Sequence, residues 1–463
     1  MSALPKEASN KYLRGTYEPV LDESHAADLE VIGEIPKDLA GHFLRIGPNP
    51  YFVPDEDKYH IFDGDGMVHS VEFSAGKASY RNKFVDSAGL REEREKGHWI
   101  FPGLNMYGEL IAKGEMPKSK NTGNTAMVFH QGKLFGLMEG GTPYELSLPS
   151  LETVGEHDFD GTLTHNFTAH PKVDAQTGEM MTFGYSPFPP YLTYSVVSPE
   201  GKAVHTKEIT LPKGIMMHDC AITANYTIFP DLPLVFDFEK LTQGESMIGW
   251  DPSNGSRIGI VPRFGDDETI RWFDIEESFL FHVANAFEQG DEVVMQACRS
   301  DHGAIETSEN RDVREQLGRL HEWRFNMKTG AVSSKRMIDD QYCDFPRILD
   351  DLTGYPNRYI YAARFRVNEM ATFDAEMKYD NQTGELLIHA FGDNKESGEA
   401  VFAPKVGAVD EDDGYVICFV NDADDRSCEC HIIDAKNFEA PALAKIKIPV
   451  RVPHGFHAAW VPA

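Results

Sequence analysis

Apolar and polar residues alternate along most of the chain in short runs, each broken by Gly, Asn or Asp. Met67 to Phe73 alternates, turns at Ala75-Gly76-Lys77 and resumes at Ala78-Ser79-Tyr80. The same arrangement recurs at Thr125 to Phe129, Gln131-Gly132-Lys133 and Leu134 to Met138. Further turns of this kind fall at Pro199-Glu200-Gly201-Lys202, Lys328-Thr329-Gly330, Asn381-Gln382-Thr383-Gly384 and Ala423-Asp424-Asp425. A period of two between such turns predicts β-hairpins over the whole length. Helical spacing is confined to Gly89–Lys96 and Asn310–Leu320. Hairpins without an intervening Pro/Ser-rich linker predict one closed, all-β structure. A propeller suits this, because radial repetition leaves few exposed edges. No WD or kelch-type repeat marks the blades. The pattern alone does not separate a propeller from a large sandwich, nor does it count blades.

Composition narrows the picture. With 463 residues, 41% of them hydrophobic, the chain is expected to be globular and to bury a large core. Large all-β architectures run as single units, so residues 1–463 are read as one domain. No apolar run reaches the roughly 18 residues a spanning helix needs. Met1 to Asn10 carries no apolar signal core, so a cytoplasmic protein is expected. Acidic residues outnumber basic ones, 74 to 44, for a formal charge of −30, which disfavours nucleic acid as a partner. Six cysteines are scattered, and only Cys428 and Cys430 lie close. They lack the second pair of a zinc site, so reduced, ordinary thiols are expected.

Among 18 histidines, four stand out by context. His170 follows a strand-like run and precedes Pro171. His218 follows Met216-Met217 and precedes the apolar run Ile222 to Phe229. His282 lies inside the apolar stretch Phe279 to Asn285, and His457 lies near the chain end, in Pro453 to Trp460. A buried imidazole needs a hydrogen-bond partner or a metal. Taken alone, each reads more readily as a satisfied core residue than as a ligand. Their wide separation excludes a local motif such as His-Glu-x-x-His, and a metal site stays open at this point.

Ordered strings add a resemblance. Asn10 to Arg14, Tyr17-Glu18-Pro19-Val20 and Asp22-Glu23 come first. Val31 to Pro36, Leu39 to Pro50 and Phe62 to His69 follow, and then the four histidine contexts in order. From Asn10 to Trp460 the chain resembles the carotenoid cleavage oxygenases. The resemblance implies a seven-bladed β-propeller, with short helices and loops capping the iron-bearing face. It implies Fe(2+) held on the axis by His170, His218, His282 and His457, one from each of four blades. It assigns no metal role to His69, His165 or His454. O2 would add across an alkene to give two carbonyl products without added reductant. Neutral imidazoles suit a first-row divalent metal. Gly64-Asp65-Gly66 lacks the rest of a dinucleotide fingerprint.

Metal-bound histidines usually donate their other ring N–H to a carboxylate or carbonyl. The resemblance places Glu139 behind His218, Asp344 behind His282 and Glu411 behind His457, leaving His170 without a carboxylate. Glu139 follows an apolar strand, whereas Glu411 sits in the charged run Asp410 to Asp413. Asp344 stands where many members have glutamate. Thr125 matches a position beside a vacant iron site, where its methyl would restrict the binding of O2 or water, although a β-branched strand residue reads almost as well. Ala458 replaces a common glycine and Glu18 a common alanine.

A polyene needs an apolar cleft. Trp99 to Ala112 resembles the tunnel mouth and implies transient membrane contact, with ordinary core packing an equal alternative. The expected substrate is a carotenoid or apocarotenoid. Phenolic stilbenes or phenylpropanoid alkenes are the alternative, and a retinoid isomerohydrolase or a non-catalytic propeller are more distant ones. Stilbene-cleaving relatives typically carry lysine immediately before the first supporting glutamate. Here that residue is Met138, which cannot donate a hydrogen bond to a phenol.

Overall fold

The computed structural model describes residues 8–53, 55–242, 246–303, 312–368 and 372–463. The expected hairpins form. Gly66–Ser74 pairs with Lys77–Phe84 across Ala75 and Gly76, and Ala126–His130 pairs with Lys133–Leu137 across Gln131 and Gly132. Both turns hold two residues at positive φ, 50° and 75° in the first and 54° and 72° in the second. That conformation matches the right-handed twist of the flanking strands.

The hairpins assemble into seven blades around an axis, a seven-bladed β-propeller. The innermost strands of blades two to seven are Ala126–His130, Lys172–Val173, Ala221–Ile222, Phe279–Gln289, Cys343–Arg347 and Val401–Pro404. Each leads outward through antiparallel neighbours. Blade one is built from both ends of the chain. Its strands Gly41–Pro48, Gly66–Ser74 and Lys77–Phe84 take Ala458–Pro462 as their inner partner. Blade seven likewise takes Val31–Gly33 on its outer edge, against Ala444–Ile448. These exchanges close the ring by hydrogen bonds.

Each blade buries both faces, so an apolar cluster fills every gap between neighbours. Phe43, Val71 and Tyr80 of blade one pack on Ile417, Cys430 and Ile446 of blade seven. The next residue along, Leu44, faces Leu134 and Tyr144 of blade two. Met181 and Phe183 meet Phe229 between blades three and four, while Ile228 turns to Val293 and Trp323 of blade five. Two buried faces explain why several strands read as nearly continuous apolar runs. Each fully buried aromatic or aliphatic side chain contributes roughly 1.5–3 kcal/mol of transfer free energy.

Helices are few. Ala88–Lys96 forms where expected, with Ser87 Oγ accepting from Leu90 N and Gly97 closing the helix at φ 77°. The Asn310–Leu320 expectation is corrected. Residues 310 and 311 lie outside the described residues, and the rest holds one 3₁₀ turn, Val313–Glu315, before a strand begins at Arg319. Pairing of Arg319–Asn326 on both its edges outweighs the local helical spacing. All six cysteines are buried free thiols. Among the described residues, no helix is long and apolar enough to cross a membrane.

Candidate metal centre

Because a propeller points the starts of its inner strands at the axis, seven blades bring seven such positions together. They are occupied by Thr125, His170, His218, His282, Asp344, Glu399 and His457, each within a few residues of an inner-strand start. The four histidines form a buried or nearly buried group whose facing nitrogens all lie within 4.8 Å of one another. Nε2 of His218 lies 2.9 Å from Nε2 of His170 and 3.1 Å from Nε2 of His282. The rings of His170 and His457 stand at 89° with centroids 4.3 Å apart.

Carboxylates set the ring orientations. Nδ1 of His218 is in direct contact with Glu139, whose other oxygen accepts from the Tyr185 hydroxyl. Nδ1 of His282 lies 2.8 Å from Asp344 Oδ1. Nδ1 of His457 lies 3.3 Å from Glu399 Oε1, and the Ala458 N–H donates to the other oxygen of Glu399. Glu411 is therefore corrected. It accepts the backbone N–H groups of Arg358 and Tyr359 at 2.8–2.9 Å, pinning a loop, and Glu399 stands behind His457 instead. His170 makes no ion pair with a carboxylate among the described residues. His69, His165 and His454 bond to Tyr80, to Asn166 and Ser195, and to Glu396, respectively.

Burial, reinforced by its three histidine neighbours, holds His170 well below the ordinary imidazole range. Burial also lowers His457 to about 4, despite Glu399. His282 is shifted upward because Asp344 outweighs the effect of burial. Carboxylates at Nδ1 favour the Nδ1–H tautomer, so the Nε2 lone pairs point inward. Lone pairs facing each other at hydrogen-bond distance are unfavourable without a shared positive partner. A divalent cation supplies one, so the donor set fits a metal, and carboxylates beyond three of the rings offset its charge.

Phe345 completes the surround. Its φ of 52° is a left-handed conformation that costs a non-glycine residue about 1–2 kcal/mol. It lays the phenyl ring on His282, with centroids 5.1 Å apart, and edge-on to His457.

On one side the histidines open to a cavity of about 620 Å³. Phe62, Phe281, Phe345, Phe373 and Phe456 contribute to its walls, and Thr125 lies among its lining residues with His218, His282 and His457. The Thr125 hydroxyl donates to Asn124 Oδ1 at 2.9 Å. Trp99, Phe101, Leu104 and Tyr107 all line the cavity, and Tyr107–Ala112 is a short helix beside it. The Ala112 side chain, at the end of that expected segment, lies outside the described residues. Met138 also lines the cavity, its sulfur facing Thr122 N at 3.2 Å. Lys120 reaches the same cavity, but its ammonium is held by Asp65 and Glu93, each at 2.9 Å.

Sequence reasoning missed Glu399, Tyr185 and Phe345. Glu399 was open to detection, since an acid directly before the apolar run Ala400 to Ala403 marks the start of a buried strand.

Residues 17–462 match the protein-family model described as Retinal pigment epithelial membrane protein. The chain is 38% identical to carotenoid 9,10(9',10')-cleavage dioxygenase 1 of Phaseolus vulgaris, over 99% of this chain and 90% of that protein. The solved lignostilbene dioxygenase of Pseudomonas brassicacearum superposes with a TM-score of 0.91 at 28% identity, covering 100% of both chains. A variant of the Synechocystis apocarotenoid oxygenase gives a TM-score of 0.85 at 28% identity, over 98% of each.

Proposed function

Because the chain belongs to the carotenoid cleavage oxygenase family, we propose that it is a dioxygenase cleaving a C=C bond of a carotenoid or apocarotenoid. The observation that carries this reading is the four-imidazole cluster opening onto one aromatic-walled cavity. His170, His218, His282 and His457 would hold ferrous iron, with Glu139, Asp344 and Glu399 fixing three of the rings. When bound, ferrous iron activates O2, which is otherwise slow to react with an alkene. One C=C and one O=O become two C=O groups, so the atoms and electrons balance without a reductant.

The chain's own residues bind, orient and shield. Phe281, Phe345 and Phe456 hold the polyene over the histidines and exclude water. Thr125, its hydroxyl committed to Asn124, would present a methyl rather than a donor to the centre and narrow the space beside it. Apolar residues at the mouth, Trp99 to Tyr107, would take substrate from a lipid surface by transient contact. The charge of −30 keeps that contact weak on anionic bilayers.

An aryl-alkene substrate is the second reading, supported by the likeness to a lignostilbene dioxygenase. Two observations favour the polyene. Met138 offers no donor to a phenol, and the Lys120 ammonium is already shared by two carboxylates. Incubation with a panel of carotenoids, apocarotenals, hydroxystilbenes and isoeugenol, with chromatography of the products, tests the choice. Cleavage of apocarotenals at higher kcat/KM than 4-hydroxystilbene is expected, and the reverse order would move the protein to the phenolic branch.

A further inference from the structure

The histidine cluster separates two cavities. The second, of about 440 Å³, is lined by all seven inner strands and so follows the propeller axis. His282 and His457 border both spaces, Thr125 and His218 only the substrate cavity, and His170 only the axial one. A small molecule therefore reaches the histidines along the axis without crossing the aromatic cavity.

The two linings differ as their uses would require. The substrate cavity is walled by aromatic rings, which a polyene fills. Once filled, it leaves little passage for a second reactant. The axial bore has fewer aromatic rings and more small side chains, among them Ala126, Val128, Ala169, Ala284 and Ala459. Four of its charged groups are neutralised in pairs. Lys172 Nζ lies 2.7 Å from Asp219 Oδ1, and Arg347 Nη2 lies 3.0 Å from Asp350 Oδ1. Phe129, Phe402 and Trp460 complete a mixed wall, which puts no unpaired field of one sign before an uncharged diatomic along most of its length. Propellers commonly enclose a central channel, so the bore's existence follows from the fold. Its contact with three of the four histidines is particular to this site.

We propose that the axial bore admits dioxygen to the centre while the alkene occupies the aromatic cavity, which rests on the reading above that the protein consumes O2. Ala284 and Val128 line the bore from different blades and are half-buried although they lie on innermost strands. Ala284→Phe and Val128→Phe narrow it at independent points. At saturating alkene, both are expected to raise KM for O2 several-fold, with iron content and KM for the alkene unchanged. Crystals of the iron-loaded protein pressurised with xenon, an apolar probe of similar reach, should show xenon in the bore of the wild type and none in Ala284→Phe. If a phenylalanine variant loses iron, the smaller changes Ala284→Val and Val128→Ile carry the same test by a graded rise. Unaltered KM for O2 in active, narrowed variants overturns the inference alone. A wild type that takes up no O2 with any alkene overturns the functional reading, and this inference with it.

Discussion

Replacing Glu399 by Gln tests the support behind His457, because two donors converge on one buried carboxylate. Nδ1 of His457 lies 3.3 Å from one oxygen, and the Ala458 N–H meets the other, in a residue only 3% exposed. Glutamine keeps the volume but has one acceptor and one NH2. Whichever way the amide turns, one N–H faces another N–H. An unsatisfied buried pair costs about 1–3 kcal/mol. Loss of the partner behind a metal-ligating histidine lowers metal affinity by about 10- to 100-fold, or about 1.4–2.8 kcal/mol at about 1.4 kcal/mol per factor of ten. The two routes agree in size. Glu399→Gln should therefore weaken iron binding by about one to two orders of magnitude, measured by competition with a ferrous chelator, with circular dichroism unchanged. Glu411→Gln is the matched control, since among the described residues Glu411 bonds the Arg358 and Tyr359 backbone and not a histidine. It should leave iron affinity alone and lower only the melting temperature. Wild-type iron affinity in Glu399→Gln beside a loss in Glu411→Gln would refute the assignment.

Three further outcomes are expected. His282→Ala should abolish turnover and lower iron content measured by plasma emission; full iron with normal turnover would exclude His282 as a ligand. Asp344→Asn should cut activity by about 10- to 100-fold, and an unaffected variant would show that the 2.8 Å contact with His282 is dispensable. Met138→Lys should raise kcat/KM for 4-hydroxystilbene relative to an apocarotenal in a competition assay, and an unchanged ratio would mean that this position does not sort substrates.

The hairpins were legible because their turns demand positive φ where Gly stands, as at Gly76 and Gly132. Four histidine contexts were legible as an ordered set, although residue spacing alone gave no reason to join them. What joins them is ring closure, in which Ala458–Pro462 returns to Gly41–Pro48, and no local pattern encodes that pairing. Glu399 and Glu411 show the limit at side-chain level. Both are acids ahead of strands in blade seven, yet only Glu399 precedes the inner strand Val401–Pro404. Tyr185 and Phe345 were not legible, because one meets Glu139 across a blade boundary and the other depends on a positive φ that a Phe rarely adopts.

The most direct measurement is oxygen labelling during cleavage. Iron-loaded protein is given an apocarotenal under ¹⁸O2 with no nicotinamide or 2-oxoacid present, and both carbonyl products are sampled before they exchange oxygen with water. The predicted result is one labelled oxygen in each product, with no product from metal-free protein. Cleavage without label from O2, or cleavage that persists once His170, His218, His282 and His457 have been stripped of metal, would contradict it.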